Sequence, residues 1–228
     1  FAALKDLYDS LNGPAWTSKT SWGSPNNWAT KITAAQMDAW FGITVTSGDI
    51  YRVELSSNNL SGKIPSSIGQ LKSLRRIRFD YNNLNGRIPQ SIGNLTQLEL
   101  LYIYRNNLSG EIPSSMGNLA KMQYLAFHVN NLSGNFDWVV NMPNMLQFYF
   151  YGNPEMDCTI PVNIGLLTKM THFMAGGWLD DRVYVHSKLH GIIPSSMANC
   201  TKLEHIRLDN TELTGSIPDM QGMTALRG

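Results

Sequence analysis

Charged residues, cysteines and long apolar runs are all scarce in this chain of 228 residues. Charged side chains make up 15%, and 18 basic against 17 acidic residues leave a formal net charge of +1. A nucleic-acid-binding surface normally shows a clustered basic excess, so this balance argues against such a partner. No stretch of 18 apolar residues occurs, so the sequence contains no candidate membrane-spanning helix.

The cysteine content excludes a disulfide framework, because only Cys158 and Cys200 are present. Cys200 falls where leucine falls in other copies of the repeat described next. The sequence therefore favours a buried free thiol at Cys200, with a bridge to Cys158 as the alternative.

A 24-residue unit recurs through most of the chain. Copies of Asn-Asn-Leu-Ser-Gly-x-Ile-Pro or close variants begin at Asn58, Asn82, Asn106 and Asn130. The unit is distorted between residues 153 and 161 and returns before Pro194 and Pro218. A fixed period of this length indicates stacked supersecondary units. We predict about seven such repeats over residues 50–228, with an incomplete C-terminal end from which the natural protein continues.

Each repeat has the frame L-x-x-L-x-x-L-x-L-x-x-N. Alternation within the L-x-L segment predicts a strand that is buried on one face. The frame asparagines are expected to turn their amides onto backbone groups where the strands end, forming a ladder from repeat to repeat.

Residues 1–49 lack the repeat, and we predict that they form a cap with two short helices. Leu4, Leu7 and Tyr8 have helical spacing, and Thr33 with Gln36 can form a capping box for the second helix. Trp16, Trp22 and Trp28 lie between them. These tryptophans are expected to cover the open end of the solenoid, with a ligand platform as the alternative. The absence of an initiator methionine and signal peptide predicts a mature or trimmed product.

The repeat motif resembles that of the plant-type extracellular leucine-rich-repeat family, which includes receptor-kinase ectodomains and polygalacturonase inhibitors. The likeness covers about residues 50–228, and Leu7-Tyr8, Asn12-Gly13-Pro14 and Trp16 resemble the family's N-terminal cap without its usual cysteine pair. The resemblance implies an α/β solenoid: a right-handed horseshoe with a parallel concave β-sheet, 3-10 and loop segments on its convex side, and a helical N-terminal cap.

The period breaks once, because 33 residues separate Pro161 from Pro194, nine more than the period. We place the extra residues near 176–184, at the rim of the concave face, where the resemblance implies a ligand-holding loop. A tolerated surface insertion is the alternative. The candidate functional residues of this rim insertion are Trp178, Asp180, Asp181 and Arg182.

The frame predicts which side chains point outward from the concave sheet, in three columns across the strands. Tyrosines concentrate on the third to fifth strands, where polar side chains would suffice for a solvated face. Tyrosine also favours strands, so β-propensity is the alternative explanation. We interpret the columns as a binding patch, in which the arginines could engage an anionic group. The candidate ligand-binding residues are Arg76, Arg78, Tyr102, Tyr104, Tyr124, His128, Tyr149, Tyr151, His172 and Arg207.

No sequence motif of a hydrolase, a zinc protease or a nucleotide-binding loop occurs, so we expect no enzyme activity and no cofactor. Metal binding is not expected either, because His128 and His172 lie two strands apart, roughly 10 Å, too far to share an ion.

Five asparagines fit the N-glycosylation pattern, which permits secretion without proving it. They are Asn59, Asn94, Asn107, Asn131 and Asn199. We expect a secreted protein, or one on the extracellular face of the plasma membrane. Two functions remain open: a recognition module that binds a protein, peptide or glycan on its concave face, and a structural or adhesive surface protein that self-associates.

Overall fold

The computed structural model describes residues 2–22, 33–176, 178–180, 183–185 and 187–227, with backbone only for 178–180 and 183–185. Helix α1 spans Ala2–Ser10 and helix α2 spans Ala34–Asp38. Asn12 ends the first helical segment with a φ of 55°. The predicted capping box is present, because Gln36 N–H donates to Thr33 Oγ1 and Thr33 N–H donates to Gln36 Oε1.

One sheet of eight strands, here called the concave sheet, runs through the described part of the chain. Its strands β1 and β2 form an antiparallel hairpin, and β2 to β8 are parallel, each next to its sequence neighbour. Their bounds are β1 Ile43–Thr46, β2 Asp49–Glu54, β3 Arg76–Arg78, β4 Leu100–Tyr102, β5 Tyr124–Ala126, β6 Gln147–Tyr149, β7 His172–Met174 and β8 His205–Arg207.

The hairpin that begins this sheet was not predicted. Ser47 and Gly48 have φ of 52° and 88°, which fits the tight turn that joins hairpin strands. Strand β1 therefore extends the sheet into the segment that sequence reasoning gave only to helices.

Short strands at the Ser-Gly-x-Ile segments form two smaller parallel sheets. One contains Ser61–Gly62, Asn83–Gly86, Asn107–Glu111 and Asn131–Ser133, and the other contains Cys158–Thr159, Leu189–Ile192 and Glu212–Thr214. Most of these segments require glycine. For example, Gly110 has a φ of 78°, and a Cβ there would lie 2.9 Å from Cγ of Arg87. Cys158 takes the glycine's place without a positive φ, so the turn differs there, as its sequence predicted.

Single 3-10 turns complete the opposite side of each repeat. After the cap segment Gly13–Ala15, they span Ser66–Gln70, Gln90–Asn94, Ser114–Asn118, Asp137–Asn141, Ile164–Leu166 and Ser195–Asn199. Proline precedes four of these and holds extended backbone at the N-cap, from Pro65 to Pro194.

The frame residues form one continuous core between the concave sheet and the 3-10 turns. Leucine and isoleucine dominate the first repeats, whereas a cluster of phenylalanines fills the middle: Phe127, Phe136, Phe148, Phe150 and Phe173, all at most 2% exposed. Both cysteines are buried free thiols, as predicted for Cys200.

Aromatic side chains fill the N-terminal end of this core. Trp16 and Trp22 are 2% and 0% exposed, and their rings contact each other edge to face at 4.9 Å. Tyr8 and Trp40 pack against Trp22 at 6.1 and 5.1 Å. Burial removes Trp16 and Trp22 from consideration as a ligand platform, and Trp28 lies outside the described residues.

The insertion forms an antiparallel hairpin of two strands, Trp178–Asp180 and Val183–Val185. The hairpin overlaps the predicted stretch near residues 176–184. Gly176 N–H still bonds Arg207 O at 3.0 Å, and the frame resumes at Ser187, whose N–H bonds Asn210 O at 3.1 Å. Asp181 and Arg182 lie outside the described residues.

Candidate functional site

The strand registers place the outward side chains in the predicted columns. Arg78, Tyr102, Ala126 and Tyr149 are successive partners across β3 to β6. Beyond the strand ends, the backbone bonds Tyr81 N–H to Tyr104 O and Arg105 N–H to His128 O keep the next column in line. Leu100 and Ala126 belong to these columns but are buried, because they are short side chains among long ones.

A pocket of about 290 Å³ opens on this face. We call it the tyrosine pocket. It is lined by Tyr81, Tyr102, Tyr104, Arg105, Ala126, His128, Gln147, Tyr149 and Tyr151. Five predicted binding residues therefore meet in one place, and Tyr81 and Arg105 join them from the rim.

Three rings are stacked face to face in the tyrosine pocket. His128 lies between Tyr104, at 4.2 Å and 13°, and Tyr151, at 4.4 Å and 28° between ring planes. Tyr102 and Tyr81 contact Tyr104 edge to face at 5.8 and 5.3 Å. Because neighbouring rings cover each other's faces, the stack presents ring edges and phenol groups to the outside.

Burial keeps these rings uncharged. It lowers the pKa of His128 to about 3, with a further contribution from the positive charge of Arg105. Burial also raises the pKa of Tyr104 and of Tyr149 to about 12. The phenols are therefore hydrogen-bond donors, and His128 is a neutral spacer at physiological pH.

The partly buried, neutral side chain of His128 should make stability depend on pH. Its folded-state pKa lies below that of the unfolded chain, about 6.5, so the unfolded state binds the extra proton first as pH falls. We expect the free energy of unfolding to drop by up to about 1.4 kcal/mol per pH unit between pH 6 and pH 4. His128→Phe, which keeps a ring in the stack, should flatten this dependence in thermal melts. If the stability of the wild type and of His128→Phe fell in parallel over this whole pH range, the prediction would be wrong.

Two of the three predicted arginines are already paired on the concave face. Arg78 lies 3.4 Å from Asp80, which is 1% exposed and also accepts a bond from Ser56 Oγ at 2.7 Å. Arg207 pairs with Asp209 at 2.7 Å.

Arg76 differs from both, because it makes no ion pair with any residue that the structure describes. It lies on β3, next to the strand that carries Tyr102.

Residues just after the ends of three concave-sheet strands near the pocket have a left-handed backbone conformation. Tyr81, Arg105 and Val129 have φ of 55°, 52° and 56°, a region that side chains with a Cβ rarely adopt. The guanidinium of Arg105 lies over the Tyr81 ring at 5.3 Å. The side-chain amide of Asn82 supports this conformation at Tyr81, since it donates to the carbonyls of Phe79 and Asp80 at 2.9 and 3.0 Å.

The remaining candidates lie beside the pocket or away from it. Tyr124 and His172 flank it on β5 and β7. His205, which the sequence reasoning left out of the candidates, lies next to His172 with ring centres 4.7 Å apart. The register of β7 and β8 could have revealed this pair. The five asparagines of the glycosylation pattern are all exposed.

Two other features are absent from the part of the chain that the structure describes. No group of three or more histidine, cysteine, aspartate or glutamate side chains is arranged to hold a metal ion among them. The helices described are all too short or too polar to cross a membrane.

The Leucine Rich Repeat family pattern matches residues 50–71, 73–95 and 97–119. Comparison with curated proteins gave no match. Among solved structures, the complex of PEPR1 with AtPEP1 superposes with a TM-score of 0.78 at 27% identity, over 99% of this chain and 29% of that one.

Two further similar structures are of receptor kinases from Arabidopsis. GASSHO1/SCHENGEN3 of Arabidopsis thaliana, solved with CASPARIAN STRIP INTEGRITY FACTOR 2, gives a TM-score of 0.79 at 25% identity, over 99% of this chain and 26% of that one. The Arabidopsis receptor kinase HAESA, solved with the peptide hormone IDA and the co-receptor SERK1, gives a TM-score of 0.80 at 25% identity. That match covers 99% of this chain and 36% of HAESA's. This chain thus spans about a third or less of their lengths. With its repeat frame and parallel concave sheet, the chain is a leucine-rich-repeat solenoid that resembles these plant receptors in fold.

Proposed function

We propose that this chain is a non-catalytic, extracellular recognition module that binds an extended peptide or protein segment across the tyrosine pocket. The observation that carries the proposal is the convergence of five tyrosines and His128 on one pocket of about 290 Å³. Tyrosine provides large contact areas at low entropic cost, which suits a binding surface. The similar receptor kinase HAESA is solved with the peptide hormone IDA, which supports this class of partner.

The geometry of the rings favours a peptide over a glycan. A sugar binds aromatic side chains by lying on a ring face, but the faces of His128 are covered by Tyr104 and Tyr151 at 4.2 and 4.4 Å. Tyr102 is partly exposed, and its phenol can instead donate a hydrogen bond to a carbonyl of an extended chain. Arg76 adds a positive charge for a carboxylate on one flank.

Binding should be lost when tyrosines at the pocket wall are removed. We would select dodecapeptides from a random display library on the whole chain and measure their affinity by calorimetry. Tyr102→Ala with Tyr149→Ala leaves the three-ring stack intact and should weaken binding at least 100-fold, because it removes two of the aromatic contacts that dominate such interfaces. The thermal midpoint should change by only a few degrees.

Val162→Ser with Leu166→Ser is the matched control, because these side chains are 75% and 61% exposed and lie outside the pocket. This variant should bind like the wild type. Unchanged affinity in the tyrosine variant, or selection of no peptide in parallel with a positive glycan array, would contradict the proposal.

A further inference from the structure

Two histidines on neighbouring strands lie beside the tyrosine pocket and outside its lining. His172 on β7 and His205 on β8 are register partners, and both are partly exposed. With metal–nitrogen bonds of about 2.1 Å, an ion bound by both imidazoles would lie about 3.3 Å from each ring centre. Ring centres 4.7 Å apart then subtend an angle of about 90° at the ion, which ordinary metal coordination accepts.

The hydrogen bonds around His172 leave one ring nitrogen free to bind a metal. Thr171 Oγ1 donates its one proton to Leu146 O at 3.0 Å, so its lone pair must accept from His172 Nδ1–H at 2.9 Å. The deprotonated nitrogen is then Nε2. A hydrogen bond of this kind fixes the tautomer and orientation of metal-binding histidines.

Nearby groups favour a soft transition metal. Met174 follows His172 by two residues, so both side chains leave the same face of β7. Imidazole binds copper(II) most strongly among the divalent first-row metals, and thioether sulfur suits copper(I).

We propose that Nε2 of His172 and the imidazole of His205 chelate a single copper ion on the concave face, with Thr171 as the positioning residue. Two protein ligands leave coordination positions open to water or to a carboxylate of a bound partner. The site is independent of peptide recognition, since its metal can be measured without any peptide present.

Titration of the whole chain with copper(II) chloride in a non-chelating buffer tests this site by calorimetry and electron paramagnetic resonance. We expect one ion per chain and nitrogen hyperfine structure from two imidazoles. His172→Gln and His205→Gln should each weaken binding at least 10-fold and reduce the spectrum to one imidazole. Thr171→Val should weaken it several-fold while both imidazoles remain in the spectrum, because the tautomer is no longer fixed.

His190→Gln is the matched control, because His190 lies on the smaller sheet near Asp157. Its affinity and spectrum should equal those of the wild type. Equal metal-free melting temperatures would show that the variants are folded. An unchanged spectrum in the His172 and His205 variants would assign the ion elsewhere, such as to the N-terminal amine, and overturn the proposal. Absence of stoichiometric binding would also overturn it.

Discussion

Replacing Asn82 with alanine is expected to lower the free energy of unfolding by about 3 kcal/mol or more. The side chain is 8% exposed and makes five hydrogen bonds to backbone groups. Its Oδ1 accepts from the N–H groups of Asn58 and Leu60 at 3.0 and 2.9 Å. Its Nδ2 donates to the carbonyls of Leu55, Phe79 and Asp80 at 3.0, 2.9 and 3.0 Å. Alanine would leave several buried backbone groups without a partner, each at a cost of about 1–3 kcal/mol.

Asn83→Ala is the matched control, since this neighbour is exposed and its side-chain amide donates to Oδ1 of Asn59, itself an exposed residue, at 3.3 Å. Chemical denaturation followed by circular dichroism should show a large loss of unfolding free energy for Asn82→Ala. The loss for Asn83→Ala should be about 0.5 kcal/mol or less. Equal stability of the two variants would mean that water hydrogen-bonds to the backbone groups left without the Asn82 amide, and that the asparagine ladder contributes little to stability.

Truncating Phe148 to alanine is expected to cost about 3–5 kcal/mol. The ring is completely buried on β6. Five aromatic rings surround it with centres 4.9–6.4 Å away: Phe127, Phe136, Trp138, Phe150 and Phe173. These neighbours come from several repeats, so the cavity cannot close without moving more than one of them. The expected loss follows from both the lost transfer free energy and the remaining cavity.

Gln147→Ala controls for Phe148→Ala, because it changes the preceding residue of the same strand, whose side chain points outward. Thermal melts should show a drop of about 10 °C for Phe148→Ala and little change for Gln147→Ala. A small drop in melting temperature for both variants would contradict the prediction and indicate that the core relaxes around the missing ring.

The repeat period made the scaffold predictable. It correctly placed the strands, the asparagine ladder and the three columns, because a side chain's direction in a strand follows from its position in the frame. The hairpin at Ser47 and Gly48 escaped prediction, since that segment has no repeat to supply a register. The hairpin conformation of the insertion was not predicted either, because the inserted residues have no counterpart in the other repeats.

The sequence by itself therefore determined the solenoid, its core and the identity of the side chains on the concave face. Only the tertiary structure decided which contacts those side chains make with each other. Asp80 pairs with Arg78, and the ring of His128 lies between Tyr104 and Tyr151. Thr171 orients His172 beside His205. These contacts join residues whose rotamers and burial depend on neighbours one repeat away. A periodic pattern specifies which positions meet, but the ring planes, proton positions and pKa values arise only when the strands lie side by side.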